Sequence, residues 1–210
     1  MPILEEPFLH MVIDDWAPAE LVRAADAEWP ERTWPHWHRY ENGKLATKDT
    51  LRYPPACGEL IRRLLSLPIE ELTGIGDTFA DWNCHGAGLH MLPPGCQLGV
   101  HLDSDHHPLF DWQRGVNAIL FVNRSWDRSW GGELELYDAT GRQCLKRIEP
   151  QFNRLVLFAP SDVSFHAVAQ VASAAEVRKT LAVFYWQHSA KTGKRERAQF
   201  IAAGADDGCA

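Results

Sequence analysis

The sequence predicts an α+β, mainly β chain: a double-stranded β-helix (jelly roll) under an N-terminal helical layer. From Ala87 onward the chain breaks into short aromatic and β-branched runs separated by turn residues, with no long helix between them. Before that point, two apolar patterns at helical spacing each end at a proline. Within one of the short runs, His101 and Asp103 stand two apart, so both side chains leave the same face of a strand.

In chain order, Phe8 to Trp16 reads as a short strand running into Asp14-Asp15. Pro18 then opens a helix from Ala19 to about Trp29, with Leu21, Val22 and Ala25 at helical spacing and Pro30 as its stop. Trp29 to Pro55 has little periodicity and carries Trp34, His36, Trp37, His38, Arg39, Tyr40, Lys44 and Lys48. It fits either a surface loop pinned by buried tryptophans or a substrate-facing lid. Pro55 to Leu67, with Ile61, Leu64 and Leu65 in phase, predicts a helix ended by Pro68, and a shorter one follows from Ile69 to Leu72. Strands are expected near 87–92, 97–103, 116–123, 133–137, 145–149, 154–159, 164–170 and 179–187, a set that suits the barrel-like, cupin-like arrangement of two sheets. Ala202 to Ala210 is small and acidic, and is expected to be disordered. The chain is thus expected to form one domain, with 1–80 as helical support and lid, 81–188 as jelly-roll core and 189–210 as tail.

Composition narrows the partners. The 21 basic and 28 acidic residues leave a formal charge of −7, which argues against a generic nucleic-acid surface. No apolar run is long enough to span a bilayer. The N-terminus lacks the basic start and apolar core of a signal peptide, and five cysteines at 57, 84, 96, 144 and 209 show no paired spacing. Reduced thiols in a cytoplasmic protein are the expectation.

His101 and Asp103 offer an imidazole and a carboxylate side by side. A metal held by two neutral histidines and one carboxylate on one face keeps three adjacent positions open, as in non-haem iron(II) oxygenases. The second histidine must come from a distant strand, and His166 in Ser164-Phe-His-Ala-Val is the candidate. Alone, His-x-Asp fits equally a histidine hydrogen-bonded to an aspartate on a polar sheet face. His106 and His107 follow in a polar loop, Ser104-Asp-His-His-Pro108, and are expected to be solvated rather than ligands.

The order of the later features adds a family. After His101 and Asp103 come the apolar run Val116 to Asn123, Gly131-Gly132-Glu-Leu-Glu-Leu, Arg154-Leu-Val-Leu-Phe, His166, and Arg178-Lys-Thr180-Leu-Ala-Val-Phe-Tyr-Trp. In that order residues 80–188 resemble the prolyl-4-hydroxylase-like branch of the iron(II)/2-oxoglutarate-dependent dioxygenases. The resemblance implies Fe(II), 2-oxoglutarate and O2, and hydroxylation of an unactivated C–H bond with CO2 and succinate as co-products. The substrate it implies is a small molecule, a sugar or a prolyl-type unit in a peptide.

It also implies that His101, Asp103 and His166 hold the iron and that Arg178 grips the distal carboxylate of 2-oxoglutarate, with Thr180 adding a hydroxyl from the same strand face. The alternative leaves Arg178 in a surface ion pair with Lys179 pointing inward. Asn117 is a candidate contact to the 2-oxo acid, or only satisfies a strand end. Arg114 reaches substrate or caps the sheet edge. Family members often carry tyrosines three residues either side of the glycine matching Gly95. This chain has Leu92 and Leu98 there, and His90 stands in for the missing phenol or is an ordinary core histidine. Two rival classes share the barrel: a cupin-like metal-binding module without redox chemistry, and a metal-dependent hydrolase or isomerase, which needs a general base beside a metal-bound water.

Overall fold

The structure, a computed structural model, describes residues 3–47, 52–172, 176–188 and 193–201. Lys48 and the 202–210 tail of the sequence analysis lie outside the described residues. The N-terminal part runs β1 (His10–Ile13), α1 (Ala19–Ala27), β2 (Trp37–Arg39), β3 (Leu45–Thr47), α2 (Pro55–Leu64) and α3 (Ile69–Thr73). Then come β4 (Phe79–Ala80), β5 (Gly88–Leu92), β6 (Leu98–Leu102), β7 (Trp112–Phe121), β8 (Leu134–Tyr137) and β9 (Cys144–Ile148). The chain closes with β10 (Leu155–Phe158), β11 (His166–Val168), β12 (Arg178–His188) and β13 (Gln199–Phe200).

These strands form two antiparallel sheets. The larger has the order β1-β10-β7-β12-β5-β3-β2, with β4 paired to β12, and the smaller has the order β13-β6-β11-β8-β9. All eight strands expected after Ala87 are present. The predicted helices are also present, each ending within about three residues of its expected stop.

Side-chain alternation divides the apolar residues between two cores. From β7 and β12, Ala118, Leu120, Leu181 and Val183 point to one face of the larger sheet, where Val22 and Ala25 of α1 and Leu60, Ile61 and Leu64 of α2 cover them. Phe121, Val156 and Phe158 point to the other face and meet Leu134, Leu136 and Ile148 of the smaller sheet. The helices therefore buttress one side of the larger sheet and leave its inner face for the barrel. Lys179 points outward, its Nζ 2.7 Å from Asp26 Oδ1, and ties β12 to α1.

A buried tyrosine also joins the layers. The Tyr185 hydroxyl donates to the Leu64 carbonyl at 2.7 Å and accepts from the Leu67 N–H at 2.8 Å, closing the C-terminal end of α2 onto β12. Tyr185→Phe leaves both backbone groups without that partner and is expected to cost about 1–3 kcal/mol, read as a lower urea midpoint at unchanged slope.

Two expectations are corrected here. Part of the irregular Trp29–Pro55 segment is a β-hairpin that extends the larger sheet, with Leu45 opposite Met91 and Ala46 opposite His90. Its turn holds Gly43 at φ 84°, and a Cβ there would lie 2.4 Å from the Cys96 sulfur, so only glycine lets the hairpin seat on the β5–β6 connection. Part of the expected 189–210 tail also belongs to the fold: β13 pairs with β6, setting Phe200 opposite His101.

Candidate active site

His101 and His166 are cross-strand partners on adjacent antiparallel strands, β6 and β11. Such partners stand side by side on one face. A register shift between His166 and Val168 marks a bulge beside the pair, a device that re-aims side chains next to functional sites. Asp103 follows one residue past the end of β6. Its carboxylate oxygens lie 3.4 Å from His101 Nε2 and 3.6 Å from His166 Nε2, and the imidazole centroids are 4.3 Å apart. One ligand atom from each of the three lies within 4.8 Å of the others, which suits a single metal ion.

The protonation pattern fits a cation. His101 Nδ1 is 2.8 Å from the Gly99 carbonyl and His166 Nδ1 is 2.9 Å from the Ser164 carbonyl, so both Nδ1 atoms carry hydrogen and donate. Nε2 of each ring faces the carboxylate and is the atom left to bind a metal, the arrangement that metal-bound histidines use. Burial, with His101 adding to it, holds His166 down at about 4. Burial pushes the Asp103 carboxyl up, but His166, His101 and the Arg114 charge outweigh it and hold it well below the usual carboxylate range. Three electron-pair donors facing one another need a positive ion between them, and the residues present fit Fe(II).

A buried histidine held neutral has a stability consequence. The unfolded chain takes up a proton near the ordinary value of 6.5, whereas folded His166 resists it until about 4. Folded-state stability of the metal-free protein is therefore intact above 6.5 and falls as pH drops from 6.5 towards 4. The contribution is on the order of 3 kcal/mol. Urea midpoints at pH 7.5 and pH 5 measure it, and His166→Gln is expected to flatten the dependence.

Between the sheets lies a cavity lined by the triad and by His90, Leu92, Asn117, Arg178, Thr180 and Lys44 among others. Asn117 donates to the second oxygen of Asp103 at 2.6 Å, and its own carbonyl oxygen is buried without a partner. It therefore orients the Asp103 carboxylate. Arg178 is 6% exposed, donates through Nε to the Gly132 carbonyl at 2.6 Å, and lies 4.9 Å from the Phe121 ring. Burial pulls the guanidinium down to about 9, against the opposing pull of Glu133. It remains a cation at neutral pH, with no hydrogen-bonded carboxylate among the described residues and beside an open cavity. Thr180, two residues on, faces the same space. His90 is both a core histidine, its Nε2 3.1 Å from the Gly86 carbonyl, and a wall of the cavity.

Several side chains behave differently from expectation. His106 and His107 are buried, at 4% and 5% exposure, rather than solvated. His106 is bonded to Asp105 at 2.8 Å, and His107 packs between Phe110, Trp112 and Trp186. The polar-looking loop folds back on β7, with Arg114 N–H donating to the Asp105 carbonyl. Arg114 lies under the Asp103 carboxylate, Nη1 3.5 Å from it, with its guanidinium 3.9 Å from the Phe184 ring.

Three participants had no clear sequence signal. Arg195 donates to the Asp103 backbone carbonyl at 2.5 Å, Phe200 stacks on His101 at 5.0 Å, and Lys44 enters the cavity from the β2–β3 turn. Only Lys44 had a readable cue: Asn42-Gly43 is a hairpin dipeptide.

With the geometry described, comparison with known proteins gives a consistent picture. The profile of the 2OG-Fe(II) oxygenase superfamily matches residues 87–186. A prolyl 3-hydroxylase, OGFOD1 of Mus musculus, is 38% identical over 77 residues, which make up 35% of this chain and 14% of that protein. The Xenopus laevis counterpart is 40% identical over 74 residues, again spanning 14% of its length. Among solved structures, a Pseudomonas putida prolyl-4-hydroxylase superimposes with a TM-score of 0.63 at 24% identity, covering 86% of this chain and 93% of that one. Over residues 87–186 the chain is similar to the 2OG-Fe(II) oxygenase superfamily, and its two-sheet barrel is the fold of the Pseudomonas putida prolyl-4-hydroxylase.

Proposed function

We propose that the chain hydroxylates an unactivated C–H bond of a prolyl-type unit in a peptide, with CO2 and succinate as co-products. The observation that carries this is the opposition, across one cavity, of a buried carboxylate-free arginine on β12 to the His101, Asp103 and His166 cluster on the smaller sheet. In this reading the three cluster residues hold Fe(II), while Arg178 and Thr180 hold the distal carboxylate of 2-oxoglutarate. Bound iron and 2-oxoglutarate supply O2 activation and hydrogen abstraction. The chain's own residues bind and orient: Asn117 and Arg114 fix the Asp103 carboxylate, the backbone carbonyls of Gly99 and Ser164 fix the histidine rings, and the apolar wall of Leu92, Ile119, Leu134 and Phe158 excludes water.

The prolyl assignment draws on the OGFOD1 similarity and the prolyl hydroxylase fold. A metal-dependent hydrolase is disfavoured because Asp103, the prospective ligand, is the only carboxylate among the described residues lining the inner cavity, which leaves no second one as general base. Anaerobic titration of Fe(II)-loaded protein with 2-oxoglutarate tests the class: a weak visible charge-transfer band is expected, and its absence favours a non-redox binding module. Screening prolyl peptides against free amino acids and nucleotide sugars for stimulated succinate release tests the substrate. Stimulation by the sugars or amino acids alone would remove the prolyl assignment.

A further inference from the structure

Lys44 has no place in the reading above, although its side chain lines the cavity that holds the triad and Arg178. It stands immediately before β3, whose pairing with β5 and close seating of Gly43 on Cys96 fix where the lysine starts. The ammonium lies 5.5 Å from the Tyr40 ring and makes no hydrogen bond or ion pair with any described residue. Asp103 acts on it more strongly than Arg178 or Arg114 does, and burial holds it down at about 8, still largely charged at neutral pH. An unpaired cation in a mostly apolar cavity is costly without an anionic partner.

The remaining polar lining of the cavity is already engaged. The Asn117 amide donates to Asp103, and His90 Nε2 is bonded to Gly86. Thr180 shares the strand face of Arg178, at the distal-carboxylate end. Leu92 and Leu98 on the cavity wall donate nothing. Lys44 also lines the adjoining outer opening with His101, Asp103 and Arg114, a space that neither Arg178 nor Thr180 lines, so at the metal end it is a cationic donor without a partner among the described residues.

We infer that Lys44 is a co-substrate-binding residue that pairs with the metal-side carboxylate of 2-oxoglutarate, the carboxylate next to the 2-oxo group. This rests on the oxygenase reading. It implies a division of labour, with Lys44 gripping a feature that every 2-oxo acid shares and Arg178 gripping the distal carboxylate.

The test is anaerobic titration of Fe(II)-loaded wild type, Lys44→Met, Lys44→Arg and Arg178→Ala with 2-oxoglutarate and with pyruvate, which lacks the distal carboxylate. Dissociation constants come from the charge-transfer band and from calorimetry, not from turnover. Losing one charge-assisted hydrogen bond weakens binding by about 10- to 100-fold. Lys44→Met is expected to weaken both acids by that same factor, Lys44→Arg to retain most of the affinity, and Arg178→Ala to weaken 2-oxoglutarate alone. Thermal midpoints confirm that each variant is folded, and for Lys44→Met, which removes an unpaired cation from a partly buried position, they are expected to lie at or above wild type.

Wild-type affinity of Lys44→Met for both acids overturns the inference and turns the lysine towards the prime substrate. Weakening of 2-oxoglutarate alone also overturns it, moving Lys44 to the distal end. Failure of the wild type to bind either acid removes the oxygenase reading itself, and is distinguishable because no variant comparison is then involved.

Discussion

Alanine at His101, Asp103 or His166 is expected to reduce 2-oxoglutarate-dependent succinate release to the level of metal-free protein. Losing an outer partner of a metal ligand costs about 10–100-fold in affinity or activity, and losing a ligand from a three-residue set exceeds that. The effect falls on the metal: iron titration of each variant should give an affinity weaker by more than ~100-fold. His101→Ala and His166→Ala are expected to remain folded, because each side chain bonds only one carbonyl of its own strand segment, two residues away. Asp103→Ala also strips Arg114 and Asn117 of their shared anion and is expected to lower the melting temperature of the metal-free protein. Wild-type turnover in any of the three would remove that residue from the ligand set.

Arg178→Ala carries the second large expected effect. Truncating one partner of a buried, hydrogen-bonded charge pair costs at least 2 kcal/mol, which is about 30-fold in the dissociation constant for 2-oxoglutarate. The metal-free protein is expected to keep its stability, because removing a desolvated cation offsets loss of the bond to Gly132. The measurement separates the two terms: the melting temperature without ligand reports the fold, and anaerobic titration reports the co-substrate. Arg178→Lys keeps the charge but loses the fork that matches a carboxylate, and should recover part of the affinity. Unchanged 2-oxoglutarate affinity in Arg178→Ala would place the distal carboxylate elsewhere.

Local patterns made most of the fold legible. The strands after Ala87 announce themselves through β-branched runs and turn residues, and His101 and Asp103 through a spacing of two. What stayed hidden depended on contacts between distant segments. Leu181 to Trp186 is nearly all apolar because β12 is covered on both faces, so alternation there cannot say which way Arg178 turns. His106 and His107 look like solvated loop residues, since nothing in Ser-Asp-His-His-Pro signals that the segment packs beneath Trp186. Arg195 and Phe200 reach the site from beyond the predicted core, through a pairing of β13 with β6 that two residues cannot encode on their own. Lys44 was counted among the residues of an aperiodic segment, although its turn dipeptide pointed to a hairpin.

Because the two histidines face each other across a single antiparallel pairing, one bulge sets whether they converge. A slip of β11 by one residue would send the His166 ring to the opposite side of its sheet and leave the cation one imidazole short. If the cluster holds iron as proposed, tight iron capture would be a signature of correctly zipped sheets, and a misregistered chain would be recognisable by its failure to hold the metal even where its overall β content looked normal.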